Sequence, residues 1–464
     1  MAAPAWFAQQ VDRRAVLRGG AQAFSGLSLP VIFPGLASAA PAGLPVTGKS
    51  VVLLFMQGGP SQIETFDPKM SAGAGIRSTT GEISTSIPGV TFGATFPKLA
   101  SLAHRLAIVR SFTTGDANHD IKPVVGRNTA GANLGSFYSR IVGPNDSLTG
   151  LPTNTALFPQ AVNPQAQPAQ SAFGRFDATG GLGAAYAPFQ PGGAGDFQKN
   201  LELKIPADRL QDRRSLLSDL DRLRYRLDRI DGLEKLRDQA FRTILGGGAG
   251  AFDLNREDPR TIARYDTAPL MRPDQIASKW NNHKYYVDHS QNLGRLMLLA
   301  RRMCEAGCGF VLVTTNFVWD MHADSNNAGT AEGMGYVGRP FDHAVSAFLE
   351  DVEERGLSEK ILLVCCGEMG RTPRLDANGG RNHWGSLAPL LLSGGGLNMG
   401  QVIGQSTRDA GEPLTSPVGL SHLTSTILHT LVDVGALRLI GGTPKEILQA
   451  AAADPIPELG ERGT

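Results

Sequence analysis

ILLVCCGEMGRTPRLDANGGRNHW, residues 361–384, is the stretch on which the reading of this chain turns. Ile361–Cys366 is an unbroken apolar run that stops at Gly367, the pattern of a strand buried on both faces. Glu368 follows at its tip. A loop with Arg371 and Arg374 comes next, and then the tight turn GGRNHW, which presents His383. In open α/β sheets the ligand crevice lies beyond the carboxyl ends of the strands, so Glu368 falls where a site is expected.

The same signal recurs on either side. Residues 50–56 (SVVLLFM) end in Gln57-Gly58-Gly59, and residues 106–110 precede a loop carrying His119. Residues 309–315 (GFVLVTT) lead into WDMHAD, and residues 387–392 are the last core strand. Apolar spacing predicts helices over residues 96–104, 260–265, 285–306, 342–355 and 420–434. Strands alternating with helices predict an α/β fold, a doubly wound, mostly parallel sheet with helices on both faces. Residues 128–200 are rich in Gly, Ala, Pro and Asn and predict short strands and loops. Leu216, Leu220, Leu223, Leu227 and Ile230 mark an amphipathic helix over residues 208–244 with a solvated charged face. The two stretches make a loop-rich and helical insertion at about 128–265 within a single domain over residues 41–464.

Composition narrows the function classes. The chain has 464 residues, 41% hydrophobic and 19% charged, enough for a large core. A formal net charge of +1 gives no electrostatic case for nucleic acid. The N-terminus carries Arg13-Arg14, a mildly apolar run over residues 19–36, and Ala37-Ser38-Ala39-Ala40. This is a twin-arginine export signal with an A-x-A cleavage site over residues 1–40, which predicts a periplasmic or cell-surface protein. Pro30 and Pro34 and the low apolar density argue against a stable membrane span. Cys304, Cys308, Cys365 and Cys366 lack C-x-x-C spacing and read as small core residues. On one strand, Cys365 and Cys366 must face opposite ways.

Several strand ends converge in this topology. They bring Ser61, then His119, then Asp320 and His322, then Glu368, with His383 in the next turn. Carboxylates and imidazoles gathered at one sheet edge suit a divalent cation: zinc takes His nitrogen and carboxylate oxygen, whereas manganese and magnesium prefer oxygen. Asp320, His322, Glu368 and His383 are the expected metal ligands. His119 is read as an acid/base or a further ligand, and Arg371 as the group that pairs an anionic substrate. Each residue also has a structural alternative. Asp320 fits a helix cap, Glu368 a partner for Arg371 or Arg374, His383 a packed turn histidine, and Ser61 a turn residue.

The leader, VVLLFMQGGPSQIETFDPK, LARRMCEAGCGFVLV, WDMHAD, GEMGRTPR and GRNHW together resemble an exported bacterial family known as domain of unknown function 1501. That family is similar to the alkaline phosphatase and sulfatase superfamily. The resemblance implies metal-dependent hydrolysis of phosphate or sulfate esters, acting on a small anionic ester or an extracellular polymer. It implies a divalent metal (zinc, manganese, magnesium or calcium, not distinguished). Asp320 and His322 resemble ligands of one metal, Glu368 the carboxylate of a late Asp-His pair, and His383 the last ligand histidine. Two departures are visible: Met369 stands where an imidazole is expected, and Gln57-Gly58-Gly59 replaces an Asp at the first strand's tip. Ser61 or Asp67 is left to substitute there, with Ser111, Thr113 and Thr114 as nucleophile candidates near His119. A one-metal site, or a non-catalytic envelope or binding protein retaining the fold, is the alternative.

Overall fold

The computed structural model describes residues 43–192 and 248–460. The leader and the charged helix expected at residues 208–244 lie outside the described residues. The strands described are β1 Ser50–Phe55, β2 Glu82–Ser84, β3 Thr91–Gly93, β4 Ala107–Val109, β5 Asn154–Leu157 and β6 Phe310–Val313. They continue as β7 Ile361–Cys366, β8 Gly370–Arg371, β9 His383–Trp384, β10 Leu390–Gly394 and β11 Gln401–Ile403. One seven-stranded sheet runs in the order β11-β4-β10-β7-β1-β6-β5. β10 alone is antiparallel to its neighbours, so the sheet is mostly parallel, as expected.

Both faces of the sheet are covered. Along β1 the side chains alternate: Val52 and Leu54 enter one core, Val51, Leu53 and Phe55 the other. Cys365 and Cys366 divide the same way, and all four cysteines are buried and free. The helices used below are α1 Pro97–Ser101, α2 Leu134–Val142, α3 Pro259–Tyr265, α4 His283–Glu305, α5 Thr330–Glu354 and α6 Leu420–Leu431. Leu293 and Leu296 of α4 and Val337 and Phe341 of α5 fill the first core. Phe137 of α2 and Leu423 and Ile427 of α6 fill the second. Burying both faces is why the central strands read as continuous apolar runs.

Two elements differ from expectation. Residues 128–200 were expected to hold short strands and loops; they hold β5 and also the helix α2. Asn133 caps it by accepting from Gly135 N at 2.9 Å, and Leu134 and Phe137 form its buried face. α5 begins at Thr330 rather than Asp342 and passes through Pro340. Its first half, TAEGMGYVGRP, is poor in helix formers. Packing decides instead: a Cβ at Gly338 would stand 2.8 Å from the Thr95 side chain, so only glycine lets that neighbour approach.

α4 and α5 are also joined by charge. The buried Arg301 guanidinium donates to Asp351 at 2.8 Å, Glu257 at 2.6 Å and Glu305 at 2.6 Å. Glu257 further accepts from Arg302 and Arg355. Burial alone would raise the Glu257 carboxyl, but the three guanidinium groups reverse that and bring it down to about 2.

Candidate metal centre

The site is assembled from loops at the carboxyl ends of β1, β4, β6 and β7. After β6 the chain turns at Asn316, held left-handed at φ 64°. Its side chain accepts from Gln170 N and donates to Pro168 O. Trp319 N then donates to Gln57 O, which lays the next segment across the tip of β1. Gly58 has φ 111°, and a Cβ there would stand 2.6 Å from Asp320 N. The Gln-Gly-Gly end of β1 is therefore the surface on which Asp320 rests. Ala323, beside His322, is left-handed at φ 56°, a costly conformation for a residue with a side chain. The two-residue ladder of β8 and β9 sets Arg371 opposite His383.

Four side chains meet: one ligand atom from each of His119, Asp320, His322 and His383 lies within 4.8 Å of every other. Asp320 Oδ1 is 2.9 Å from His322 Nε2, 3.5 Å from His119 Nε2 and 3.6 Å from His383 Nε2. His322 Nε2 and His383 Nε2 are 2.7 Å apart. Tetrahedral coordination with bonds near 2.0–2.1 Å separates ligand atoms by about 3.3 Å, so these side chains fit one small cation. The site is sealed beneath and open above: side-chain exposure rises from 7% at Asp320 to 29% at His383. Phe317 meets the His119 ring edge-on at 4.5 Å, and Phe173 stacks on Phe317 at 4.7 Å, so one wall is aromatic.

Further residues hold the four in place. His119 Nδ1 lies 3.0 Å from Glu368 Oε1, which leaves Nε2 facing the cluster. Asn327 Nδ2 donates to Asp320 Oδ2 at 3.0 Å. Arg371 donates to Asp320 Oδ1 at 2.5 Å. Burial would raise the Asp320 carboxyl; the Arg371 charge and hydrogen bonds from three histidines hold it well below the usual carboxylate range. Burial would lower His119, but Asp320 and Glu368 outweigh it and raise the imidazole. His383 is lowered, by burial first, with the positive charges around it adding to the effect.

Three expected roles change. Glu368 was expected to ligate, but its buried carboxylate accepts from Gly58 N at 3.0 Å and faces His119 Nδ1, so it stands behind His119 rather than among the clustered ligand atoms. Arg371 was expected to pair a substrate anion. Its guanidinium is instead buried and spent on Gly58 O, Gly59 O, Arg381 O, His322 and Asp320. Ser61 is buried in the turn after β1, where its Oγ accepts from Glu64 N at 3.3 Å. Asp67 pairs with Lys69, Arg110 and Ser406. Among the described residues no Ser or Thr hydroxyl hydrogen-bonds to the four clustered side chains. Asn327 and the fully buried Arg381–Glu64 pair were missed by sequence reasoning. Arg381 N donates to Met321 O, which fastens the GRNHW turn beside Asp320 and His322. Nothing in the sequence marks Glu64 as its partner, because the pair is separated by most of the chain.

Fold and site together define a doubly wound α/β protein with a three-histidine, one-carboxylate cluster at its strand ends. The chain belongs to the family described as "Protein of unknown function (DUF1501)", whose model matches residues 48–439. Solved structures similar to it include a sulfatase from Pseudoalteromonas sp., at 11% identity and TM-score 0.34, covering 82% of this chain and 67% of that one. A phosphonate monoester hydrolase from Silicibacter pomeroyi matches at 12% identity and TM-score 0.34, covering 82% and 73%. An alkaline phosphatase from the Antarctic bacterium TAB5 matches at 12% identity and TM-score 0.30, covering 82% and 97%. No curated protein matches.

Proposed function

We propose that this protein is an exported, single-metal hydrolase of phosphate or sulfate esters. The observation that carries the proposal is the convergence of His119, Asp320, His322 and His383 on one point with an open upper face. Four protein ligands would fill a tetrahedron, so an ester oxygen would enter as a fifth ligand from the exposed His383 side, an expansion that catalytic zinc sites allow. Three imidazoles and one carboxylate favour zinc, or a metal of similar softness, over magnesium or calcium. A cation held there would polarise a phosphoryl or sulfuryl oxygen. Glu368 fixes which His119 nitrogen faces the cluster, and Arg371 keeps Asp320 ionised. Phe173 and Phe317 line the His119 side with aromatic surface. The ester class follows from the resemblance of GEMGRTPR and GRNHW noted above. Export follows from the Arg-Arg leader, and no helix among the described residues is long and apolar enough to cross a membrane.

The test is elemental analysis of the full chain purified without chelator, beside His383→Ala. One ion per chain, depleted in the variant, supports the site. A metal-free protein that takes up no added zinc ends the proposal. Turnover of phosphomonoester, phosphodiester and sulfate ester substrates by the loaded protein then tests the reaction. A second reading is a non-catalytic envelope or binding protein, favoured by the commitment of Arg371 to Asp320 and by the lack, among the described residues, of a Ser or Thr hydroxyl bonded to the cluster. Stoichiometric metal with no turnover of any of the three ester types would select it.

A further inference from the structure

Lys122 lies on the loop that carries His119, and its side chain is buried at 9% exposure. Its ammonium meets four oxygens: Asp116 Oδ1 at 3.0 Å, Asp120 Oδ1 at 3.2 Å, Asn118 O at 3.2 Å and Glu368 O at 3.1 Å. Three N–H groups thus serve four acceptors, two of them carboxylates. Each carboxylate also closes a turn of the loop: Asp116 Oδ1 accepts from Asn118 N, and Asp120 Oδ1 from Lys122 N, both at 2.9 Å. The loop is wrapped around one positive charge, as loops wrap a hard oxygen-liganded cation. Its one partner from outside the loop is the main chain of Glu368, the residue whose side chain holds His119 Nδ1 at 3.0 Å. Just upstream, Thr114 N and Gly115 N both donate to Gly385 O, close in sequence to His383.

We propose that Lys122 is a positioning residue for the metal centre, a built-in cation that fills an oxygen cradle and locks the His119 loop onto the end of β7. This rests on the metal reading above. The ammonium fixes the Glu368 backbone and the loop in one arrangement, so the Glu368–His119 pair is set before a metal arrives. Without it, two carboxylates face each other across an unfilled cradle, and the loop must be ordered anew on each binding event, at an entropic cost.

The test compares zinc affinity and amide hydrogen exchange over residues 114–122 in the full chain. Lys122→Met should weaken zinc by about 10- to 100-fold, the usual effect of losing support behind a ligand, and speed exchange of the loop amides. Lys122→Arg should restore much of both, and added methylammonium should partly rescue Lys122→Ala. In a His119→Ala background, Lys122→Met should cost no further zinc affinity. Asp116→Asn, at a half-exposed side chain, provides a milder variant if Lys122→Met does not fold; it should loosen the same amides. Unchanged zinc affinity together with unchanged loop exchange, in whichever variant folds, overturns the proposal. If the wild type binds no zinc, the metal reading fails by itself, and loop exchange alone decides whether Lys122 is the lock.

Discussion

His322 Nε2 and His383 Nε2 face each other at 2.7 Å, and each also faces Asp320 Oδ1. Two imidazole nitrogens at that separation need a proton between them or a cation that both can bind. Beside them, against burial, Asp320 and Glu368 raise the His119 imidazole, so zinc uptake is expected to displace a proton from His119 near neutral pH. Calorimetry of zinc binding in buffers of different ionisation enthalpy measures it. Binding that is independent of buffer would show that His119 is not a ligand.

Asp320 carries the negative charge that balances Arg371. Asp320→Ala should remove metal binding and also leave a guanidinium buried without its carboxylate. The expected loss is about 3–5 kcal/mol in urea unfolding. His383→Ala, at the open side, should lose metal with a far smaller effect on stability. Equal stability losses in the two variants would contradict this division of roles.

Glu368→Gln keeps an acceptor for Gly58 N but removes the charge beside His119 Nδ1. Carboxylates behind a ligand histidine raise its basicity and fix its tautomer, so zinc should weaken by about 10- to 100-fold. Zinc competition against a chromogenic chelator reads this directly. Total loss of metal would instead make Glu368 a ligand.

Gly58→Ala forces a Cβ to within 2.6 Å of Asp320 N at a φ of 111°. Strain of this kind costs about 1–3 kcal/mol, and the displaced backbone moves Asp320 out of the cluster. Lower thermal stability with lost zinc is expected. A variant that retains both would mean that the close approach of β1 to Asp320 is not what holds the site.

Acid should loosen the α4–α5 contact. The Glu257 carboxyl is lowered from 4.5 to about 2 in the fold, so the unfolded chain takes up the proton more readily. The stability it contributes is present above pH 4.5 and is lost as pH falls towards 2. Glu257→Gln should lower stability at pH 7 and flatten the acid limb of the unfolding curve over that window. An acid limb as steep as that of the wild type would assign the sensitivity to other carboxylates.

Much of this protein was set by the sequence alone. Residues 50–56, 309–315 and 361–366 are apolar on consecutive positions, and only a strand covered on both faces buries them all, so the doubly wound sheet follows from local pattern. Asp320, His322 and His383 were legible because polar ligand types stand just past such strands. What each side chain does there was decided by tertiary structure. Glu368 and Arg371 look like a ligand and an anion clamp in one dimension. In three, the tip of β1 gives Glu368 a backbone N–H and Arg371 two carbonyls, and satisfying these buried groups draws both side chains away from the open face. α5 likewise runs through Pro340 because its packing outweighs a weak propensity. Burial and hydrogen-bond satisfaction act between residues hundreds of positions apart, and no local pattern records which of them will meet.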